Sequence, residues 1–236
     1  MNTRSNRACF VSSLAMGWVF TLGAMAQDEA KVAPTAAKTL LENSRVRVME
    51  VSLKPGEKVG THSHPDHVVY FLTDGKIKET LADGKSNELS GKAGEAKGMK
   101  AVIHSTENVG TAPLRGIVVE LKEPASSPSA ATPVDKDPVK LAPDQVKVLF
   151  ENERIRVIQG RSKPGGKVVM HSHPDSVSYA VNDVKVKSTT SDGKVTEKAW
   201  KAGDISWNDA WSHAVENVGT TEGSLVTFEL KEPKKK

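Results

Sequence analysis

The chain has 236 residues, of which 37% are hydrophobic and 26% charged, and its formal net charge is +4 at pH 7. This composition is ordinary for a soluble protein. Outside the N-terminus it excludes a membrane span, which needs about 18 or more consecutive apolar residues. The basic tail at residues 234–236 has no aromatic residues among its lysines, so it predicts a solvated terminus and no nucleic-acid partner.

The N-terminus is typical of an export signal. Arg4 and Arg7 provide a positively charged start, an apolar run extends to Gly23, and a small-x-small sequence follows. An uncleaved anchor is the alternative, but the abrupt change to polar residues favours cleavage. We therefore predict a signal peptide over residues 1–26, a periplasmic or secreted protein, and no membrane span in the mature chain. Cys9 is the only cysteine and leaves with the signal, so the mature chain forms no disulfide.

The remainder of the chain repeats itself. A shift of 109 positions places residues 31–124 on residues 140–233 without a gap, and about half of the aligned pairs are identical. This predicts two domains of ordinary size. Residues 125–139 are rich in Pro, Ser and Ala and predict an extended linker, while residues 27–30 predict a polar lead-in.

Each copy has the pattern of short strands separated by turns. Residues 45–48 and 154–157 alternate between polar and apolar side chains, and residues 68–72 are mostly β-branched or aromatic. The Asp-Gly pairs at 83–84 and 192–193 predict hairpin turns of type I′. Helical periodicity is weak throughout, so the predicted fold class is all-β, with a sandwich or small barrel in each copy.

Six of the seven histidines are matched between the copies, and only His67 is not, since it aligns with Ser176. The matched pairs are His62 with His171, His64 with His173, and His104 with His213. The first two pairs form His-x-His sequences, whose side chains project from the same face of a strand. Imidazole suits Zn, Fe, Ni, Cu or Mn, and two imidazoles need at least one further ligand, which the third pair can supply. The alternative is that duplication alone preserved these residues.

The motifs around these histidines resemble a known family. A Gly-x5-His-x-His-Pro sequence begins at Gly56 and at Gly165, and a Gly…His-x3-Asn sequence ends at Asn108 and at Asn217. These resemble the two signature motifs of the cupin superfamily, and the resemblance covers each whole copy, so the chain resembles a bicupin. It implies two tandem jelly-roll barrels packed about a pseudo-two-fold axis, with the motif histidines pointing inward as metal ligands.

The chain departs from the family pattern at one ligand position. The alignment places Val68 and Val177 where the family has a metal-binding Glu, so both copies lack that carboxylate. A three-His site resembles the minority of cupins, such as the thiol dioxygenases, that hold iron through three imidazoles. The resemblance thus implies a divalent transition metal (Fe, Zn, Mn, Ni or Cu), and neutral ligands favour an anionic partner. A metal-free ligand pocket is the alternative.

Aromatic residues are the candidates for the ligand pocket. Trp207 and Trp211 surround the third histidine of the second copy, and Tyr70 and Tyr179 share the strand parity of the predicted Glu positions. Large aromatic side chains shape pockets, although core and interface positions are equally common for them. The first copy has Ala-Lys-Gly at residues 96–98, which predicts a thinner pocket wall. We therefore expect the second copy to hold the main binding site.

Two aspartates follow the His-x-His-Pro sequences. Asp66 and Asp175 are identical between the copies and could accept a hydrogen bond from a ligating histidine, thereby orienting it. A turn carboxylate after the proline is the alternative. The arginines at 45, 47, 154 and 156 could bind a carboxylate or lie on a solvated strand face.

The leading hypothesis is an exported bicupin that binds a transition metal, a small anionic or carbonyl-bearing ligand, or both. One alternative is a metal-dependent dioxygenase or isomerase that uses three histidines and a tyrosine. The other is a structural or stress protein with vestigial pockets. The sequence leaves open whether the chain is an enzyme and whether it forms oligomers, because one fold of this kind hosts many functions.

Overall fold

The computed structural model describes residues 27–123 and 136–232. The predicted signal peptide, most of the predicted linker and the whole predicted basic tail lie outside the described residues. None of the described helices is long and apolar enough to cross a membrane.

The first copy consists almost entirely of strands. In chain order its elements are β1 (Gln27–Asp28), α1 (Glu29–Val32), β2 (Ala37–Glu42), β3 (Val46–Leu53), β4 (Lys58–His64), β5 (His67–Phe71), β6 (Gly75–Leu81), β7 (Ser86–Gly91), β8 (Ala96–Met99), β9 (Val102–Asn108) and β10 (Leu114–Leu121). They form two five-stranded sheets in the orders β1-β4-β9-β6-β7 and β2-β3-β10-β5-β8.

The second copy repeats this arrangement. Its elements are α2 (Pro138–Leu141), β11 (Val146–Glu151), β12 (Ile155–Ser162), β13 (Lys167–His173), β14 (Ser176–Ala180), β15 (Val184–Thr190), β16 (Val195–Trp200), β17 (Ile205–Asn208), β18 (Trp211–Asn217) and β19 (Gly223–Leu230). The sheet orders are β11-β12-β19-β14-β17 and β13-β18-β15-β16. The prediction of an all-β chain of two jelly-roll barrels is confirmed.

The predicted hairpin turns occur, but their type differs from the prediction. In the described residues only glycines have positive φ, among them Gly84 and Gly193 at +83°. Asp83 and Asp192 therefore do not adopt the left-handed conformation that a type I′ turn requires at both central positions. The amide of Gly84 donates to the carbonyl of Leu81, so the glycine follows the turn instead of forming its centre.

The two barrels pack against each other through one face of each. The largest apolar cluster combines residues of β3, β5 and β10 with residues of β12, β14 and β19. Two reciprocal ion pairs flank it: Arg45 with Asp175 at 2.6 Å and Arg154 with Asp66 at 3.1 Å. Equivalent residues exchange places across the interface, as a pseudo-two-fold axis requires.

Each domain begins earlier than the repeat in the sequence predicts. Asp28 caps α1 by accepting a hydrogen bond from the amide of Ala30, and Asp137 caps α2 by accepting one from the amide of Val139. Residues 27–30 are therefore part of the first barrel and not a lead-in. Likewise, residues 136–139 belong to the second barrel and not to a linker.

Candidate metal centres

The structure brings the three matched histidines of each copy together. Residues i and i+2 of a strand share a face, which aligns the His-x-His pair. The third histidine lies directly across the ladder, His104 opposite His62 and His213 opposite His171. In each triad the candidate ligand nitrogens lie within 4.8 Å of one another.

Hydrogen bonds fix the orientation of the imidazoles. His62 donates through Nδ1 to the carbonyl of Gly60, and His171 donates to that of Val169, both at 2.7 Å. The Nδ1 atoms of His64 and His173 instead pair with the carboxylates of Glu120 and Glu229. Since these Nδ1 atoms are engaged, the opposite nitrogen, Nε2, is left for a further ligand.

Some of the nitrogens left over are buried and have no hydrogen-bond partner in the described part of the chain. They are Nε2 of His62, His104 and His213, together with Nδ1 of His213. Buried polar atoms without a hydrogen bond are costly, and a native protein retains them for a reason. Converging imidazole nitrogens of this kind fit a divalent transition metal, which needs lone pairs and no N–H.

Glu120 and Glu229 are functional residues that the sequence reasoning missed. Glu120 lies 2.6 Å from Nδ1 of His64 and 2.7 Å from Nε of Arg47. Glu229 makes the same contacts with His173 and Arg156, at 2.7 and 2.6 Å. The signal was available, because both are matched glutamates with apolar neighbours on either side in the strand.

The aspartates that were predicted to orient the histidines bind backbone amides and arginines instead. The carboxylates of Asp66 and Asp175 accept hydrogen bonds from the amides of Ala101 and Ala210 and pair with arginines of the opposite barrel. The prediction is wrong because each aspartate lies beyond the end of the His-x-His strand, next to the interface.

The first site contains acidic and basic groups that the second site lacks. Nδ1 of His104 pairs with Glu79 at 2.6 Å, and the ring of His67 lies 4.7 Å from that of His64. A further carboxylate comes from Glu29 on α1, whose oxygens lie 3.9 Å from Nε2 of His62 and 3.6 Å from Nε2 of His64. At the equivalent places the second copy has Ser188, Ser176 and Pro138.

Burial sets the protonation of these groups. It lowers the pKa of His62 and His171 to about 4 and that of His213 to about 2. Burial also raises the pKa of the Glu29 carboxyl. His62, His171 and His213 are therefore neutral near pH 7, which is the form that ligates metals.

In the strand that follows each His-x-His pair, the side chains that the family alignment places inside the barrel point toward the other barrel. Val68, Val177, Tyr70 and Tyr179 are buried in the cluster between the barrels, and the two tyrosine rings lie 6.2 Å apart. Their neighbours on the same strands, such as Ser176 and Ser178, face the barrel interior. The predicted pocket role of the tyrosines is wrong, and the enzyme hypothesis loses its candidate proton donor.

The two predicted pocket tryptophans have different positions. Trp211 lines the interior of the second barrel and stacks on His213, with ring centroids 3.7 Å apart. Trp207 packs against the cluster between the barrels instead. Its counterpart in the first barrel is Gly98, and the ring of Phe150 from the second barrel lies above this glycine. The pocket wall of the first barrel is therefore not thin at this position.

A cavity of about 220 Å³ adjoins the triad of the second barrel. It exists because small residues replace the apolar side chains that fill the first barrel. The replacements are Gly160 for Val51, Ser162 for Leu53, Ser178 for Val69 and Thr227 for Val118. The first barrel therefore surrounds its triad with a packed core, whereas the second has room for a small molecule.

The polar lining of this cavity carries positive charge. Arg161 and Lys198 line it, together with serine, threonine and asparagine side chains, and none of the described lining residues is Asp or Glu. The Lys198 ammonium lies 3.4 Å from the centroid of the Trp200 ring, which is a cation–π contact. Among charged ligands, this lining favours an anion over a cation.

Comparison of the sequence with family models and with curated proteins finds no match. Solved structures do match. AerE from Microcystis aeruginosa is 13% identical with a TM-score of 0.58, over 84% of this chain and 98% of that chain. A variant of oxalate decarboxylase from Bacillus subtilis is 15% identical with a TM-score of 0.60, over 83% of this chain and 72% of that one.

A third solved structure contains a small carboxylate. It is the formate complex of oxalate decarboxylase from Lactobacillus farciminis, 17% identical with a TM-score of 0.59, over 84% of this chain and 81% of that one. Another describes Mn(II) centres in the Bacillus subtilis oxalate decarboxylase. At these identities the likeness establishes the fold, two cupin-type barrels in one chain.

Proposed function

We propose that this two-barrel protein binds a divalent transition metal at each His triad and captures a small carboxylate in the cavity of the second barrel. The observation that carries the proposal is the convergence of three imidazoles in each barrel, whose ligand nitrogens lie within 4.8 Å of one another. Among the triad nitrogens, Nε2 of His62, His104 and His213 is buried without a hydrogen bond in the described residues. Hydrogen bonds at Nδ1 of His62, His64, His171 and His173 support it by orienting those rings toward a common point.

The carboxylate part of the proposal depends on the charge of the cavity. Lys198 and Arg161 are cationic, the lining lacks acidic residues among those described, and a bound divalent ion adds positive charge. The volume of about 220 Å³ suits a molecule of a few heavy atoms. The formate complex and the Mn(II) centres of the structurally similar oxalate decarboxylases are compatible with a carboxylate and a divalent ion.

Elemental analysis of protein purified without a polyhistidine tag tests the metal part. We expect metal in the parent, loss of one site in His62→Ala/His64→Ala, and loss of the other in His171→Ala/His173→Ala. Equal metal content in the parent and both double variants would contradict the proposal.

Calorimetry with formate and oxalate tests the carboxylate part on the metal-loaded protein. We expect binding that weakens in Lys198→Met, whereas Lys85→Met, which removes an exposed lysine of the first barrel, leaves it unchanged. Binding that persists unchanged in Lys198→Met, or no binding by the parent, would contradict a carboxylate site. Release of carbon dioxide or uptake of dioxygen in the same samples would add catalysis to the proposal.

We also propose that the protein is exported, because residues 1–26 have the charge and hydropathy pattern of a cleaved signal. Expression of the full chain in a Gram-negative host tests this. We expect mature protein in the periplasmic fraction with Gln27 at its N-terminus, and a cytoplasmic protein that retains its first residues would contradict it.

A further inference from the structure

The short helices α1 and α2 cover equivalent positions over the two triads. α1 packs against β4 and α2 against β13, the strands that carry the His-x-His pairs. Each helix begins with a buried residue, Glu29 in the first barrel and Pro138 in the second. The first residue of each helix is therefore at the triad.

The same ion pairs hold both helices in place. Asp28, the cap of α1, pairs with Arg47, and Asp137, the cap of α2, pairs with Arg156 at 3.1 Å. Each arginine also binds the glutamate that orients the second histidine of its triad. Through this chain of contacts, helix and triad have a fixed relation, and the relation is the same in the two barrels.

The first residue of the helix has a metal-ligating group in the first barrel and none in the second. Glu29 is 4% exposed, and its two oxygens approach Nε2 of His62 and His64 at 3.9 and 3.6 Å. These separations are too long for hydrogen bonds, and Nε2 of His62 has no hydrogen-bond partner within the described residues. They are of the size that separates two ligands of one ion. Pro138 offers no ligand atom.

We infer that Glu29 is a fourth protein ligand of the first site, so that the two barrels hold unlike metal centres: three histidines and a carboxylate in the first, three histidines in the second. This inference rests on the proposed function, since it assigns a ligand to one of its metal sites. The carboxylate comes from the N-terminal helix, whereas the strand position predicted from the family holds Val68, which faces the other barrel.

The different ligands give the two sites different metal preferences. A carboxylate oxygen is a harder ligand than imidazole and favours Mn²⁺ relative to Zn²⁺ or Cu²⁺. Its negative charge also offsets the charge of the ion. The first site therefore retains Mn²⁺ behind a packed core, and the second, with only neutral ligands, leaves more positive charge for an anion in its cavity.

Mn²⁺ titration of the metal-free full chain, followed by electron paramagnetic resonance, tests this inference with each site isolated. With the second triad removed by His171→Ala/His173→Ala, Glu29→Gln should weaken Mn²⁺ binding by about tenfold or more and Zn²⁺ binding by less. With the first triad removed by His62→Ala/His64→Ala, Pro138→Glu should strengthen Mn²⁺ binding at the second site. Glu88→Gln, which changes an exposed glutamate of the first barrel, is the matched control.

Unchanged Mn²⁺ affinity in Glu29→Gln or in Pro138→Glu would overturn the inference. Equal losses of Mn²⁺ and Zn²⁺ affinity in Glu29→Gln would also overturn it, because a residue that only supports the fold would not change the ratio. If neither isolated site binds Mn²⁺ or Zn²⁺ at all, the proposed function fails. If both bind and Glu29 has no effect, only this inference fails.

Discussion

At the scale of single residues, one nitrogen of most triad histidines is already used within the protein. Nδ1 of His64 and His173 contacts Glu120 and Glu229, which are each 1% exposed. A carboxylate in this position fixes the ring and makes the opposite nitrogen more basic. The metal affinity of each site should therefore depend on a residue that does not touch the metal.

We predict that Glu120→Gln weakens metal binding at the first site by about 10- to 100-fold, and that Glu229→Gln does so at the second. The amide keeps the shape but loses the charge that pairs with imidazole and arginine. Calorimetric titration with Zn²⁺ measures the effect, with the exposed-residue variant Glu88→Gln as control. Affinities equal to that of the parent would show that the rings are oriented by strand geometry alone.

We also predict that the metal-free protein loses stability as the pH falls from 6.5 toward 4. Burial lowers the pKa of His62, His67 and His171 from 6.5 to about 4, so in this range the unfolded chain binds protons that the folded chain does not. The raised pKa of Glu29 has the opposite effect on stability over this pH range, but it is a single group and the buried histidines are several. Urea unfolding across this pH range measures the loss. His67→Ser, which introduces the residue of the second barrel, should make the slope shallower, and a steeper slope would contradict the prediction.

At the scale of elements, equivalent strands of the two barrels fill their interiors differently. β3 places Val51 and Leu53 inside the first barrel, and β12 places Gly160 and Ser162 at the same positions. A Cβ at Gly160 would meet no heavy atom within 4 Å, so the space there is open. The strand positions are shared, and side-chain volume alone decides whether a cavity forms.

We predict that Gly160→Val abolishes carboxylate binding while leaving both metals bound. The side chain occupies the cavity as Val51 does in the first barrel. It should also raise the free energy of unfolding by about 1 kcal/mol, because it buries methyl groups and removes a flexible glycine from a strand. Formate titration and urea unfolding measure the two effects. Undiminished formate binding would place the ligand elsewhere, and Val51→Gly, the reverse change, should lower stability.

At the scale of the whole molecule, the two barrels bury a face of each other. Phe150 of β11 lies above Gly98 of β8, at a position where a side chain on residue 98 would overlap the ring. Trp207, the counterpart of Gly98, packs into the same interface from the second barrel. One barrel thus has a glycine where the other has a tryptophan. The side chains of the interface are therefore asymmetric, although its backbone is nearly symmetric.

We predict that Gly98→Val destabilises the protein by about 1–3 kcal/mol through overlap with Phe150. Phe150→Ala alone also destabilises it, because it leaves a void. The double variant should lose less stability than the two single losses added together, since each change relieves the other. Urea unfolding of the four proteins measures the coupling. Strict additivity would mean that the two residues do not touch in solution.

The division into two barrels, the all-β fold and the composition of each triad are predictable from the amino-acid sequence. These follow from local or repeated features: a shift that aligns the two copies, turn residues at short spacing, and a His-x-His pair whose members share a strand face. The approach of the third histidine required only that the strands pair in register.

Which face of β5 and β14 points inward is not predictable from the sequence, because it depends on how the two barrels pack. Nearly every residue of these strands is buried, one face by its own barrel and the other by the opposite barrel. The polar–apolar alternation that normally reveals parity is therefore weak, and a shift of one residue exchanges Val177 for Ser178 at the cavity. The role of Glu29 was equally hidden, because it depends on where a four-residue helix packs, and no local pattern encodes that.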